Sequence, residues 1–270
     1  MKRAYILYKK ADAEKNRVLI SKYSSALCVA GLRPSLVILD GLSRESVLRL
    51  VSGAELIINR SREWETARFL EENGLFVSNP PILNETANDK LKTYERLKSA
   101  VPMLETHLLT PVPALPFPFV AKPAGGHGGN GVTLVKNADE LALYRAAHPE
   151  KSVIQPLATE LGRDMRVYVV GGKPIFAMLR ESKTDFRSNY SLGGAAKPVP
   201  LSELLPDERA IVSAVTGLLP LDYAGVDIMR DHGRAILNEI EDPVGARMLY
   251  TNTGLDPAAM HVDYLISKEL

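Results

Sequence analysis

The 270-residue chain has little of several things that would narrow its function. It has one cysteine, Cys28. That excludes an intrachain disulfide and leads to the expectation of a reducing compartment. Cys28 lies in SALCVAGL, which reads as an apolar helix face, so a buried, inert thiol is expected. Charge of one sign is also lacking: 33 basic residues meet 32 acidic ones, a net charge of +1. This balance gives no electrostatic reason for nucleic acid or an anionic membrane as partner. No apolar run approaches the roughly 20 residues that span a bilayer. The opening MKRAYILYKK has a basic end, but its apolar run is too short for a signal peptide, and a cytoplasmic protein is expected. What remains, 46% apolar and 24% charged residues, is the composition of a globular chain with a sizeable core.

The order of elements can be read from periodicity and breakers. AYILY, SLVILD and AELIINR read as strands, and LFVSN is strand-like. Between them, residues 12–32, SRESVLRLVSG with its capping Ser43, and WETARFLEENG read as helices. Strands alternating with helices imply a parallel α/β unit over residues 1–85. ETANDKLKTYERLKSA reads as one polar helix. The prolines of TPVPALPFPF, at 111, 113, 116 and 118, predict an extended connector and a domain boundary. Beyond it come short strands, a helix over ADELALYRAAH, a hairpin through GGK, a helix from Pro206, a second hairpin through RDHGR and a closing helix. This second half is α+β with antiparallel pairing.

FVAKPAGGHGGNGVTLV holds five glycines between Gly125 and Gly131. The letters satisfy G-x-G-x-x-G, but the glycines lie mid-chain and lead into a strand-like run, whereas the dinucleotide fingerprint opens a helix. A strand, glycine loop and strand form instead a flap whose bare amides can close over phosphates. Lys122, in the strand before it, is placed to touch phosphate oxygens; a solvated lysine beside a plain turn is the alternative. In the second hairpin, period two puts Glu239 and Glu241 on one face, with Asp227 opposite or nearly so. Converging carboxylates repel unless a cation lies between them, and hard oxygen ligands suit Mg²⁺ bound together with phosphates. The polar stretch TDFRSNYSLGG reads as a loop, with Arg187 and Asn189 offering a forked cation and an amide to a phosphoryl group.

Lysine, flap, hinge strand, Arg/Asn loop and acidic hairpin, in this order, resemble the ATP-grasp superfamily. The resemblance is closest to the branch of ribosomal-protein S6 glutamate ligases and lysine-biosynthesis ligases. It implies a three-domain ATP-grasp architecture, α/β and α+β, with ATP between two antiparallel sheets. The expected units are 1–85, a central unit 86–155 bearing the flap, and 156–270 bearing the metal site. NDKLKTYERL resembles a segment that makes Lys90 a nucleotide contact, beside Lys122 and the flap residues Gly126, His127, Gly128 and Gly129. VIQPLA resembles the hinge strand, whose backbone at Gln155, Pro156 and Leu157 would read adenine. GRDMRVYVV resembles the segment that implies Asp164 near the ribose and Arg166 near the acceptor or phosphate. AGVDIM and NEIED resemble the two metal strands. Where the family usually has Glu-x-Asn followed by Ser-Pro-Gly, this chain has Glu239-x-Glu241 and then Asp242, Pro243, Val244 and Gly245.

The resulting expectation is a carboxylate–amine ligase using ATP with Mg²⁺ or Mn²⁺ and forming an acylphosphate. A modifier of ribosomal peptides and a nucleotide-binding regulator without turnover are the other two readings. Small-molecule carboxylate and amine partners follow, among them an amino acid or peptide, and the resemblance implies a homodimer or homotetramer. Arg60 in IINRS and Arg247 in VGARM are candidate clamps for a substrate carboxylate; for Arg60 an exposed strand-end arginine is the alternative.

Overall fold

A computed structural model describes residues 2–182 and 195–268. The first four strands, β1 (Arg3–Tyr8), β2 (Arg33–Ile38), β3 (Ala54–Asn59) and β4 (Val77–Ser78), pair in parallel in the order β2-β1-β3-β4. This is the parallel α/β unit read from the sequence. The helix expected over 12–32 is two, α1 (Lys10–Lys15) and α2 (Arg17–Val29), broken at Asn16. α2 buries Leu19, Tyr23 and Leu27, spaced by four. Cys28 falls off that stripe and is exposed, contrary to the buried thiol expected. α3 (Arg44–Val51) starts at Ser43, whose side chain accepts from the Ser46 amide, and α4 (Trp64–Glu72) precedes β4.

The segment read as one polar helix is also two, α5 (Pro81–Ala87) and α6 (Lys90–Leu97). Asp89 divides them, because its carboxylate caps α6 by accepting from the Leu91 and Lys92 amides at 2.9 and 3.2 Å. The next sheet, in the order β5-β8-β6-β7, is antiparallel and is built from β5 (His107–Leu108), β6 (Phe119–Pro123), β7 (Thr133–Val135) and β8 (Ser152–Gln155). α7 (Ala138–Ala147) covers one face, where Phe119, Ala121, Leu141 and Tyr144 pack together. The proline-rich stretch runs between β5 and β6, within this sheet. It is a connector, as expected, but it separates no domains.

The third sheet, β11-β10-β9-β12-β13, is antiparallel throughout. Its strands are β9 (Arg163–Val170), β10 (Lys173–Glu181), β11 (Ala195–Val199), β12 (Tyr223–Asp231) and β13 (Arg234–Glu241), with α8 (Pro206–Leu218) between β11 and β12. Val167, Val169, Val226, Ile228 and Ile240 face Ile211, Val212 and Val215 of α8 together with Leu83 and Leu97 of α5 and α6. Burying each such side chain is worth about 1.5–3 kcal/mol. The opposite face carries the charged residues. α9 (Arg247–Asn252) and α10 (Pro257–Ile266) end the fold, and α10 returns to α2, where Ala258, Val262 and Leu265 join Leu19, Tyr23 and Leu27. Among the described residues no helix is long and apolar enough to cross a membrane.

Candidate functional site

A cleft of about 850 Å³, its mouth included, lies between the second and third sheets. Lys90, Lys122, Gly126, His127, Gly128, Gly129, Gln155, Pro156, Leu157 and Asp164 all line it, together with Glu239. Every residue assigned to nucleotide binding from the sequence is therefore brought to one cavity. Alternation in β6 explains part of this: Phe119 and Ala121 pack under α7, so Val120 and Lys122 face the cleft. Lys122 is buried; its ammonium is pushed down to about 8 by burial and by the neighbouring Lys90 charge. Lys90, positioned by the Asp89 cap, donates to the Gly126 carbonyl and so ties α6 to the flap. Within the flap, Gly131 has φ +70, and a Cβ there would stand 2.8 Å from Pro123 Cγ. Only glycine fits at that position.

The third sheet's polar face is a chain of charge pairs. Arg166 donates from Nε and Nη2 to the two Asp227 oxygens at 2.7 and 2.6 Å, and from Nη2 to Glu241 at 2.7 Å. Arg180 donates to both Asp164 oxygens and, at 2.5 Å, to Asp227. Gly225 lies opposite Glu241, and its missing side chain gives Arg166 room to cross: a Cβ would stand 3.3 Å from Arg166 Cδ. Burial works against the charge on Asp227, but Arg166 and Arg180 hold its carboxyl below the usual range. Asp164, expected at a ribose, is thus the counter-ion of Arg180, and Arg166, expected at a phosphate, is held by two carboxylates.

Glu239 differs from its neighbours. It faces Asp227 across the hairpin, yet among the described residues no hydrogen bond or ion pair engages its carboxylate. Burial, then the charges of Glu241 and Asp227, push its carboxyl up. Oxygens of Asp227, Glu239 and Glu241 lie within 4.8 Å of one another. An unpaired carboxylate crowded by two others, at the wall of the cleft, is what a hard cation relieves, so this set fits Mg²⁺.

A second cavity of about 1910 Å³, its mouth included, lies beside the first sheet. Arg60, Arg62, Arg166, Glu241 and Arg247 line it. Arg180, His127, Gly128 and Asn130 line both cavities, so the flap tip stands where they meet. Arg60 and Arg247, singled out from the sequence, therefore share a cavity. Arg60 is no exposed strand-end arginine: it is 2% accessible. Arg187 and Asn189 lie outside the described residues.

Sequence reasoning missed Arg180 and Arg62. Arg62 reaches across from the first sheet, pairing with Asp12 at 3.2 Å and approaching Glu241 at 3.9 Å. Nothing in the linear sequence signals that contact. Arg180 was hidden by a bulge: β9 and β10 pair Lys173 with Val170 but Arg180 with Asp164, one residue out of step.

The RimK-like ATP-grasp domain family matches residues 88–265. A probable alpha-L-glutamate ligase of Thioalkalivibrio sulfidiphilus is 30% identical over 214 residues, 73% of this chain and 69% of the relative. An uncharacterized protein of Mycoplasma pneumoniae is 30% identical over 254 residues, 92% of this chain and 86% of the relative. The D-alanine–D-alanine ligase of Bacillus anthracis, solved with ATP, superposes with a TM-score of 0.73 over 99% of this chain and 97% of that one, at 16% identity. The last shows the fold, and the match over 88–265 shows the family: the chain belongs to the RimK-like ATP-grasp family of carboxylate–amine ligases.

Proposed function

We propose that the protein uses ATP and Mg²⁺ to join a carboxylate to an amine through an acylphosphate. The observation that carries this reading is the convergence of Lys90, Lys122, the flap, Asp164 and Glu239 on one cleft. The substrate carboxylate attacks the γ-phosphorus and releases ADP; the amine then displaces phosphate. No side chain becomes covalently attached, so the work is positioning and charge neutralisation.

Lys122 and the flap amides hold phosphate oxygens, and the backbone at Gln155, Pro156 and Leu157 reads the adenine edge. Glu239, Glu241 and Asp227 would hold Mg²⁺, which when bound neutralises charge on the β- and γ-phosphates. Arg166 and Arg180, on the wall nearest the second cavity, orient the reacting carboxylate, with Arg187 and Asn189 assigned to the same task by resemblance. Flap closure keeps water from the acylphosphate. The units divide near residues 85 and 155, with the cleft between the second and third.

The second cavity receives the substrates. The relative named as a probable alpha-L-glutamate ligase makes an amino acid the first to try. A screen of ADP release over amino acids, peptides and small carboxylic acids, with Mg²⁺ or Mn²⁺, tests the reading. Release that requires both a carboxylate and an amine is expected. Tight Mg-ATP binding with no stimulation by any member of the panel would replace the ligase with a nucleotide-binding regulator.

A further inference from the structure

Arg60 sits at the floor of the second cavity. Its Nη2 donates to the Val244 carbonyl, and its guanidinium carbon stands 5.0 Å from the Tyr223 ring centroid. Its Nε and Nη1 are buried and find no partner among the described residues. No carboxylate of the described residues comes within ion-pair distance; the nearby Asp242 is instead bound by Asn79 and Asn84 at 2.6 and 2.7 Å. The hydroxyls of Tyr8 and Tyr250, which line the same cavity, are also buried and make no well-formed hydrogen bond among the described residues, although the Arg60 guanidinium lies close enough to Tyr8 to offset part of the effect of its burial. Burial raises both phenols, so at neutral pH they are donors. A buried cation with idle donors beside idle hydroxyls is strongly disfavoured unless something accepts from them.

The topology points the same way. Tyr8 ends β1, and Arg60 follows β3. With the order β2-β1-β3-β4, the gap between β1 and β3 is where the strand order reverses. Open parallel sheets bind ligands there, beyond the carboxyl ends of the strands. Arg60, Tyr8 and Tyr250 line the second cavity but not the ATP cleft, whereas Arg180 and the flap tip line both. A group held at Arg60 is therefore set back from the wall where the chemistry takes place.

We propose that Arg60, Tyr8 and Tyr250 form a buried subsite for a carboxylate that takes no part in the new bond. Its oxygens accept from the guanidinium and the two phenols, anchoring one substrate while its reacting group extends toward Arg180. The proposal rests on the ligase reading, because it takes the second cavity to be the substrate site.

The test uses the full chain saturated with Mg²⁺ and a non-hydrolysable ATP analogue, with glutarate as probe and glutaramide as its uncharged match. Calorimetry should show glutarate binding and no glutaramide binding. The double variant Tyr8→Phe, Tyr250→Phe should weaken glutarate about tenfold or more, and leave the affinity for the ATP analogue unchanged. Arg60→Met should abolish glutarate binding; since it also removes the contacts to Val244 and Tyr223, the tyrosine variant decides independently. Equal binding of glutarate and glutaramide, undiminished glutarate binding in the tyrosine variant, or displacement of glutarate by lower concentrations of inorganic phosphate would overturn the subsite. If the analogue binds but glutarate does not, the subsite fails and the ligase reading stands. If neither binds, both fail.

Discussion

Asp227 and Glu239 stand directly opposite one another on β12 and β13 because Asn238 is an extra residue in β13. From the turn, Asp231 pairs with Arg234 and Ile228 with Leu237; unbroken pairing would then put Asn238 opposite Asp227 and turn Glu239 to the core face. The bulge restores Glu239 to the polar face, where it is crowded by two carboxylates, only partly offset by the charges of Lys90 and Lys122 across the cleft.

Glu239→Gln should therefore separate stability from function. Removing one of three crowded carboxylates stabilises the apo protein, and a gain of about 1 kcal/mol is worth roughly 2–4 °C in a chain of this size. Turnover should fall to background in the same variant. A lower Tm combined with normal ADP release would remove Glu239 from the metal site.

Asp227→Asn should do the opposite to stability. Asp227 is fully buried and receives both Arg166 and Arg180. Weakening that acceptor leaves two buried guanidinium groups short of negative charge. Removing one partner of a buried pair costs about 3–5 kcal/mol. Denaturant unfolding measures it, and a loss below about 1 kcal/mol would contradict the network described.

Lys122 makes nucleotide binding depend on pH. Its ammonium is held down to about 8 in the apo protein, and phosphate favours the charged form. Affinity for Mg-ATP should weaken as pH rises from 7.5 to 9.5, with a proton taken up on binding above about pH 8. Lys122→Met should bind weakly and without that dependence. The sign for folding follows from the depressed value. Between about 8 and 10.5 the unfolded chain carries the proton and the folded chain does not, so apo stability rises across that window. A flat binding profile across this range would contradict the assignment.

Gly131→Ala should damage the flap without unfolding the protein. The added methyl meets Pro123 and forces a side chain into a left-handed conformation. KM for ATP should rise at least severalfold with little change in Tm. Gly128→Ala, at a φ of +65 but with nothing within 4 Å, should show the smaller effect.

Most of the fold was legible in the sequence, and the reasons differ by element. The parallel unit announced itself through strands spaced by helices, and both hairpins through turns at Gly171–Gly172 and His232–Gly233, all with positive φ. The residues assigned to nucleotide binding lie in short motifs, and the fold brings them to one cleft. Parity across the hairpins was legible only in part: Glu239 and Glu241 on one face with Asp227 nearly opposite are found as expected, but nothing in the letters marks the extra residue in β13 that sets this register or the one in β10 that brings Arg180 to Asp164. Asp89 looked like a residue inside a polar helix until its carboxylate proved to cap the second of two. For Arg60 the sequence left a substrate clamp and an exposed strand-end arginine both open, because the residues that bury it, Tyr223 and Val244 among them, come from far along the chain.

The return of α10 to α2 decides which part of the molecule is left to move. The first and third sheets are fastened together by that helix pair, by Asn79 bonded to both the amide and the carbonyl of Tyr223 at 2.8 Å, and by Arg60 on Val244. They form one pedestal, closed by the packing of α2 against α10. The small flap-bearing sheet is outside this clasp, reached through residues 98–106 and 156–162. If the cleft takes a nucleotide as proposed, its entry and exit should shift that sheet against the pedestal, to which Lys90 on the Gly126 carbonyl and Lys151 on Asp89 also tie it.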